Sequence, residues 1–369
     1  MGLHVRNMGS ALDIPSDAKP TVLIVDDEAA PRAALTQILR QDFNILTAEN
    51  ATKALAVLHD HGVDLVTLDL RLPDRNGADL LDEIKRTHAT IEVIMVTAYG
   101  TLTSAMDCIR HGAAGFLLKP FNASELLTIS LQTSRKKQRL DVLRAALTDN
   151  DVLWGPEPAC TAAWQALAAR YTALLKQGML PPAHGHDPSP LIHLVSDLLE
   201  AKDRHLVNHG NRVSFYATLV GNRLELSLAE QHLLSLGALA HDLDLIAPAD
   251  GTAFGLDDHD TRHRTDMGAR IGRALGLPAD AVQIIALHHE RWDGTGHPFG
   301  LEGSRIPLLA RIVSLAQTFD DLTAEKPGGG TRLSMSEAID CIEKQAATCF
   351  DPELTQLFCT TMREQPPQS

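Results

Sequence analysis

The stretch TVLIVDD (residues 21–27) sets the fold of the first half of this chain. Four similar apolar runs follow it, namely FNILTA (43–48), DLVTLDL (64–70), EVIMVTA (92–98) and GFLLKP (115–120). Runs that are apolar almost throughout predict strands buried on both faces of a parallel sheet. Helical patterns alternate with them at residues 29–40, 51–60, 77–87 and 102–111. This alternation predicts a doubly wound α/β domain around a five-stranded parallel sheet.

The ends of these predicted elements carry recognisable signals. Asn50 is expected to cap the second helix, and Gly112 is expected to end the fourth. The carboxyl ends of four strands carry polar residues: Asp26, Asp27, Asp69, Thr97 and Lys119. In doubly wound sheets function collects at this edge, and three carboxylates there need a divalent cation, which favours Mg²⁺. An Asp-Asp pair in a turn is often only a solvated loop. Polar and charged residues at the ends of four strands together are a more specific signal of a functional site.

Residues 20–125 resemble the receiver domain of two-component response regulators. The resemblance lies in IVDDE, LDLRLPDRNG, MVTAYG and FLLKPF. It implies that Asp69 accepts a phosphoryl group from a sensor histidine kinase. It also implies that Asp26, Asp27 and Asp69 hold Mg²⁺ together with the backbone carbonyl of Arg71. The physical chemistry agrees, because a phosphate adds about two negative charges, which Mg²⁺ and Lys119 neutralise.

The same resemblance implies a conformational switch. The Thr97 hydroxyl turns toward a phosphate oxygen, and Phe116 rotates into the space that it leaves. A local change in charge then biases a packing element with two states. The alternative is a domain with the receiver fold that is not phosphorylated.

Composition narrows the classes of function. The chain has 369 residues, 44% apolar and 4% aromatic residues, five cysteines without a C-x-x-C pair, and a net charge of −14. Its length suits two domains. The negative charge argues against binding to DNA or to an anionic membrane surface. We see neither a signal peptide nor an apolar stretch of about 18 residues, and therefore expect a cytoplasmic protein with reduced thiols.

The region between the halves is predicted to be a helical linker, residues 126–190, and residues 1–19 a disordered tail. The last receiver helix is expected to extend to residue 147. Its residues at alternating spacings of three and four form a heptad-like seam that could pair two copies through residues 124–147: Leu126, Ile129, Thr133, Lys136, Leu140, Leu143 and Leu147. A helix packed on its own domain explains the pattern equally well.

The second half, residues 191–369, shows amphipathic helical patterns and predicts an all-α domain. His241-Asp242 ends one apolar helix, and His288-His289 ends another before ERWDGTGHPFGL. A lone histidine at such a place is usually a core residue. Two doublets and a glycine-rich loop together favour a metal site, and imidazole with carboxylate suits Fe, Mn or Zn.

Residues 195–360 resemble the HD-GYP family of HD-domain phosphohydrolases, which hydrolyse cyclic di-GMP. The resemblance runs through HHERWDGTGHPFGLEGSRIPLLARIVSLAQTFDDLT, NHGNRV and FDPELTQLF. The residues that it implies as metal ligands are His209, His241, Asp242, His288 and His289. The candidate nucleotide contacts are Asp293, Gly294, Gly296, His297, Asp320 and Lys326.

Several family positions are changed in this chain. Leu245 replaces the catalytic lysine, Arg264 replaces a ligand histidine, and Gln317 replaces a ligand aspartate. His205 stands where some members have a glutamate, and GYP has become GHP with His297. The family's ligand-contacting R-P-x-K motif has become KPGG. This change leaves Lys326 but places Gly329 where the family has a second cationic side chain.

These changes weaken two-metal chemistry. Arginine is a permanent cation that cannot ligate a metal, and glutamine is a weaker ligand than aspartate. Three explanations stay open: a binding domain without catalysis, a weak enzyme with substitute ligands (His205, His259 or His263), or a single structural metal. We expect a response regulator with a catalytically impaired output domain that binds protein or nucleotide; the alternative is an active metal-dependent cyclic di-GMP phosphodiesterase.

Overall fold

The computed structural model describes residues 19–98, 102–149, 151–175, 190–248, 261–324 and 332–364. Residues 1–18 of the predicted tail lie outside the described residues. Two compact units divide the chain, and the boundary falls between Val142 and Leu143. Each unit is described separately below.

The first unit contains a parallel sheet of five strands: β1 (Thr21–Val25), β2 (Asn44–Ala48), β3 (Leu65–Leu68), β4 (Glu92–Thr97) and β5 (Gly115–Leu118). Their order in the sheet is β2-β1-β3-β4-β5, and every adjacent pair is parallel. The predicted doubly wound sheet is therefore confirmed. The strand order reverses between β1 and β3, so the carboxyl ends of these two central strands lie side by side.

Helices connect the strands as the sequence predicts: α1 (Ala29–Leu39), α2 (Ala51–Asp60), α3 (Gly77–Thr87) and α4 (Leu102–Arg110). The Asn50 side chain accepts a hydrogen bond from the backbone N–H of Lys53 at 2.8 Å, which confirms the predicted cap. Gly112 follows α4 with a φ of 95°, a conformation that favours glycine at a helix end.

Two apolar clusters cover the two faces of the sheet. Leu23 and Val25 of β1 pack into one cluster, while Val22 and Ile24 pack into the other. Alternate residues of one strand point to opposite faces, so β1 is buried on both sides. This double burial explains why its sequence is apolar throughout.

Helix α5 (Ala123–Asp149) begins the predicted linker and runs slightly past the expected end at residue 147. Leu126 packs into the core of the first unit. Leu140, Leu143 and Leu147 are also buried within the chain. This burial is what a helix packed within its own chain predicts, and the homodimer through residues 124–147 stays a prediction.

The second unit is built from helices that follow one another along the chain. They are α6 (Ala159–Leu174), α7 (Pro190–Lys202), α8 (Arg204–Arg223), α9 (Leu228–Ala240), α10 (Thr261–Leu275), α11 (Ala279–Leu287), α12 (Leu308–Thr323), α13 (Met335–Glu343) and α14 (Pro352–Arg363). Its described residues include no strand, so the all-α prediction is confirmed. Residues 143–175, predicted as linker, belong to this unit.

The main core of the second unit lies between α8, α9 and α12. Val213, Leu234, Val313 and Phe319 are fully buried there. This packing fixes the carboxyl end of α9 beside α8, which is where His241 and His209 stand. In the described part of the chain, every helix falls short of the length or apolar character that a membrane span requires.

Gly77 provides a test of the packing around the backbone of Asp69 and Leu70. A Cβ atom at Gly77 would stand 2.1 Å from the backbone oxygen of Asp69. We expect Gly77→Ala to lower the free energy of unfolding of the first unit by about 1–3 kcal/mol, because the loop must move. Differential scanning calorimetry of the full chain measures it. Gly62→Ala is the control, since nothing lies within 4 Å of its added Cβ; equal unfolding temperatures for the two variants would contradict the packing argument.

Candidate phosphorylation and metal sites

The acidic residues of the first unit converge at the carboxyl edge of the sheet. Asp26 follows β1 and is 1% exposed, Asp69 follows β3 and is 7% exposed, and Asp27 lies at the surface. Each contributes a carboxylate oxygen, and these oxygens lie within 4.8 Å of one another. Lys119, after β5, places its Nζ 2.6 Å from Asp26 Oδ2 and 2.6 Å from Asp69 Oδ2.

The charges at this edge do not balance within the protein. Burial works against the charge of Lys119, but its hydrogen bonds with Asp26 and Asp69 outweigh it and raise the pKa of the lysine. The ammonium group contacts two of the three clustered carboxylates. Hard oxygen ligands and an excess of negative charge fit Mg²⁺, which Asp26, Asp27 and Asp69 would hold.

The remaining predicted switch residues lie on the two strands beside this cluster. Thr97 ends β4 and is fully buried, while Phe116 of β5 is half-buried and packs against the cluster that contains Leu23 and Val25. Phe116 pairs with Met95 across the strands, two residues before Thr97. The fold thus brings the predicted acceptor, lysine and threonine to the carboxyl ends of β3, β5 and β4, and Phe116 lies two residues before the end of β5.

The second unit contains a row of five imidazole rings. Neighbouring ring centroids lie 5.1 Å apart for His209 and His241, 5.2 Å for His241 and His288, 4.0 Å for His288 and His289, and 5.0 Å for His289 and His297. His209 comes from α8, His241 follows α9, and the other three follow α11. Residues from three separate parts of the sequence therefore meet at one place.

Three ligand atoms form a compact triangle at one end of this row. His209 Nε2 lies 3.2 Å from His241 Nε2, and these atoms lie 3.6 Å and 3.5 Å from Asp242 Oδ2. Ligand atoms held about 2.0–2.2 Å from one tetrahedral ion lie roughly 3.3–3.6 Å from one another. The triangle therefore has the dimensions of three of the four positions around a tetrahedral metal ion.

Hydrogen bonds at the opposite ring nitrogens orient these imidazoles. His241 Nδ1–H donates to the carbonyl of Ala238 at 2.7 Å, and His288 Nδ1–H donates to the carbonyl of Ile285 at 3.0 Å. In these neutral tautomers each Nε2 carries a lone pair. His288 is 2% exposed, and its Nε2 has no hydrogen-bond partner among the described residues. Burial and the adjacent His289 ring hold the pKa of His288 well below its usual range, so the ring is neutral.

His209 is oriented by a carboxylate rather than a carbonyl. Its Nδ1 lies 2.7 Å from Oδ2 of Asp320, which is 1% exposed. Arg212 donates to both oxygens of the same carboxylate, at 2.6 Å and 2.9 Å. Burial alone would raise the pKa of Asp320, but His209 and Arg212 outweigh it and lower the pKa.

The position of Asp320 corrects one expectation from the sequence. We expected Asp320 as a nucleotide contact, but its carboxylate is buried behind His209 and both of its oxygens are engaged. A carboxylate behind a ligand histidine fixes the ring and its tautomer. The sequence carries one signal for this role, because Arg212 follows His209 by three residues and therefore shares its helix face.

Electrostatics also favour a cation inside the triangle. The Nδ1 atoms of His209 and His241 donate elsewhere, so two nitrogen lone pairs and the Asp242 carboxylate face one another. Burial disfavours a charged His209, but Asp320 and Asp242 outweigh it and raise its pKa. A proton on His209 or a metal ion relieves the repulsion. The donor set of two imidazoles and one carboxylate fits Zn, Fe or Mn.

The glycine-rich loop after α11 is held by its own side chains. Glu290 is buried and accepts hydrogen bonds from the N–H groups of Phe299 at 2.7 Å and Leu301 at 2.9 Å. Asp293, a candidate nucleotide contact, accepts from Thr295, and the hydrogen bonds from Thr295 and Arg291 lower the pKa of Asp293 to about 2. We did not single out Glu290 from the sequence; its place directly after the histidine doublet is the signal that was available.

The substituted family positions lie on several elements of the second unit. Leu245 is half-buried in a short 3₁₀ turn, Leu243–Ile246, and Gln317 is half-buried on α12. His205 is exposed, one turn before His209. The Arg264 and His263 side chains, His259 and Lys326 lie outside the described residues. Gly294 has a φ of 76°, which the loop turn requires, and Gly296 packs closely on the backbone of Arg291.

Comparison with known proteins agrees with this architecture. Residues 22–130 match the response regulator receiver domain, and residues 193–354 match the HD domain. A cyclic di-GMP phosphodiesterase of Thermotoga maritima is 26% identical over 355 residues, which cover 93% of this chain and 91% of that protein. The cyclic di-GMP phosphodiesterase response regulator RpfG of Xanthomonas campestris pv. campestris is 26% identical over 350 residues, covering 91% and 86%.

A third relative matches the first unit. The chemotaxis protein CheY of Bacillus subtilis is 38% identical over 108 residues, which cover 29% of this chain and 90% of that protein. The chain therefore belongs to the response regulators, and it joins a receiver domain to an HD domain.

The role of Asp320 behind His209 can be tested by measuring metal binding. We expect Asp320→Asn to weaken metal binding about 10–100-fold, because the amide cannot hold His209 as a carboxylate does. Titration of the full chain with Mn²⁺ or Co²⁺ in a calorimeter measures the affinity. Asp340→Asn, an exposed position of α13, is the matched control. Equal affinities for Asp320→Asn and the unmodified chain would show that Asp320 does not position the ligand.

Proposed function

We propose that phosphorylation of Asp69 by a sensor histidine kinase controls an HD domain that binds cyclic di-GMP but hydrolyses it poorly. The observation that carries the proposal is the triangle of His209, His241 and Asp242, which fits one metal ion, beside an apolar residue at position 245. The relatives named as cyclic di-GMP phosphodiesterases support the choice of nucleotide.

The phosphoryl acceptor is assigned from charge and position. Lys119 contacts both Asp26 and Asp69, and Asp69 is the one of the two that follows β3. The backbone N–H of Arg71 donates to Asp69 Oδ1 at 3.2 Å. Lys119 already contacts an Asp69 oxygen, so the ammonium can neutralise a phosphoryl group at that atom. Thr97 at the end of β4 and Phe116 within β5 are the residues that would respond to it.

Leu245, three residues after Asp242, is the first reason to expect slow hydrolysis. The backbone N–H of Leu245 donates to the carbonyl of Asp242 at 3.0 Å, so position 245 lies one short turn beyond a metal ligand. A lysine at this position would carry its positive charge toward a phosphodiester held at the site. Leucine cannot stabilise developing negative charge, and loss of one such group costs about 10²–10³ in rate.

The site also has fewer negatively charged side chains to bind a metal ion. Gln317 is neutral, and Arg264 brings a permanent positive charge into the sequence where a ligand is expected. A divalent ion held by His209, His241 and Asp242 would supply electrostatic stabilisation to a phosphodiester and lower the pKa of a nearby water. Asp320 would then hold the His209 ring toward the ion, while Asp242 would neutralise part of the ion's charge.

The alternative function is an active cyclic di-GMP phosphodiesterase with rearranged ligands. It draws support from His288, whose buried Nε2 is neutral and unpartnered among the described residues. An additional metal ligand is the simplest use of such an atom. Measured turnover that disappears in Asp242→Ala would favour this alternative over the impaired domain.

Phosphorylation is tested at Asp69. We expect the full chain to bind beryllofluoride with Mg²⁺ and to become phosphorylated by acetyl phosphate, whereas Asp69→Asn does neither, because it lacks the acceptor oxygen. Fluorine NMR and phosphate-affinity electrophoresis measure the two events. Asp60→Asn, at the exposed end of α2, is the control. Phosphorylation of Asp69→Asn at the level of the control would place the acceptor elsewhere.

Impairment is tested by restoring the changed positions. We expect the full chain to bind cyclic di-GMP with little hydrolysis, and Leu245→Lys combined with Arg264→His and Gln317→Asp to raise kcat about 10²-fold or more. Chromatography of the nucleotide products with Mn²⁺ or Fe²⁺ present measures turnover. Rapid hydrolysis by the unmodified chain would overturn the impairment, and a failure to bind the nucleotide would overturn the choice of ligand.

A further inference from the structure

The loop between β3 and α3 is fastened at its tip to another part of the receiver domain. Asp74 Oδ1 accepts a hydrogen bond from the backbone N–H of Ala51 at 3.0 Å. Asp74 Oδ2 accepts two more, from the backbone N–H of Thr52 at 2.9 Å and from the Thr52 hydroxyl at 2.8 Å. Ala51 and Thr52 are the first residues of α2, so these three hydrogen bonds join the loop to the start of that helix.

Two side chains share the capping of α2. The first N–H groups of a helix have no partner within the helix. Asp74 accepts those of Ala51 and Thr52, whereas Asn50 accepts that of Lys53 at 2.8 Å. The backbone hydrogen bonds from Thr52 and Ala51 lower the pKa of Asp74 to about 2, so its carboxylate is charged at neutral pH. A negative charge at a helix N-terminus strengthens this attachment.

Behind its tip, the same loop is closed on itself and ends at the proposed phosphoryl acceptor. Arg71 and Asn76 form an isolated antiparallel bridge across the loop. The backbone N–H of Gly77 donates to the carbonyl of Leu70 at 2.7 Å, which closes the base. The backbone N–H of Arg71 donates to Asp69 Oδ1 at 3.2 Å. One short, closed piece of backbone therefore carries the attachment to α2 at its tip and a hydrogen bond to the acceptor carboxylate at its base.

We propose that Asp74 is a positioning residue for the acceptor: by fixing the loop tip to α2, it holds the Arg71 N–H, and through it the Asp69 carboxylate, in the orientation that binds Mg²⁺ and receives the phosphoryl group. The inference rests on the proposed function, in which Asp69 is the acceptor. Groups that orient a carboxylate ligand contribute about 10–100-fold to metal affinity. Asp74 acts through Arg71, so its contribution lies at the lower end of that range.

Asn50 separates this role from simple stabilisation of α2. Asn50 and Asp74 cap the same first turn, and loss of either cap lowers the stability of the helix. The hydrogen bond of Asn50 is local to the helix, however, because its donor, Lys53, is only three residues away. Loss of Asp74 alone releases the loop. A role in positioning therefore predicts that the two substitutions have similar effects on unfolding and different effects on the acceptor site.

The test measures how beryllofluoride binding by the full chain depends on Mg²⁺. Mg²⁺ is titrated at a fixed beryllofluoride concentration, fluorine NMR records the bound fluoride, and calorimetry records the unfolding temperature. We expect Asp74→Ala to raise the half-saturating Mg²⁺ concentration about tenfold. Asp74→Asn keeps one acceptor oxygen and should raise this concentration by a smaller factor. Asn50→Ala should lower the unfolding temperature but keep the half-saturating concentration within about twofold.

The outcomes separate this inference from the proposed function. The same Mg²⁺ dependence in Asp74→Ala and in the unmodified chain would overturn the inference and leave the acceptor assignment intact. An equal shift in Asn50→Ala would also overturn it, because helix capping would then explain the effect. If Asp74→Ala does not fold, Asp74→Asn decides between the same outcomes. Absence of beryllofluoride binding by the unmodified chain at any Mg²⁺ concentration would overturn both the inference and the assignment of Asp69.

Discussion

The tautomers of the buried imidazoles are the constraint on which the HD domain depends. Carbonyls of Ala238 and Ile285 and the carboxylate of Asp320 occupy the Nδ1 side of His241, His288 and His209. Each Nε2 is consequently left to face the site, where lone pairs and the Asp242 carboxylate repel one another until a cation is present. Helices α9, α11 and α12 supply these partners, so a change in the packing of these helices would also change the orientation of the imidazoles.

The receiver domain uses the same physical device with oxygen atoms. A sheet buried on both faces brings three carboxylates to one edge, and a single lysine leaves their charge partly uncompensated. Both units therefore gather ligand atoms where the backbone holds them, and in both a cation would relieve the repulsion between these atoms. They differ in ligand chemistry, since hard carboxylates suit Mg²⁺, whereas imidazoles suit transition metals.

Much of the fold was predictable because its signals are local. Continuous apolar runs, the Asn50 cap and the glycine after α4 each depend on a few adjacent residues, and all of them are found as predicted. The candidate ligands were also visible as His241-Asp242 and His288-His289. The roles of Asp320 and Glu290 were not visible, because each depends on groups far along the chain or across a loop. Leucines at heptad spacing in α5 likewise do not reveal what covers them, so the sequence left both packing within the chain and pairing of two copies open.

The sequence alone determined the two kinds of domain, the order of their elements and the types of residue available for chemistry, because short-range periodicity and composition control these features. The tertiary structure decided which residues act together. It turned Asp320 from an expected nucleotide contact into the group that orients His209, and it brought His297 against His289. Distances between residues of different helices follow from packing, and no local pattern encodes them.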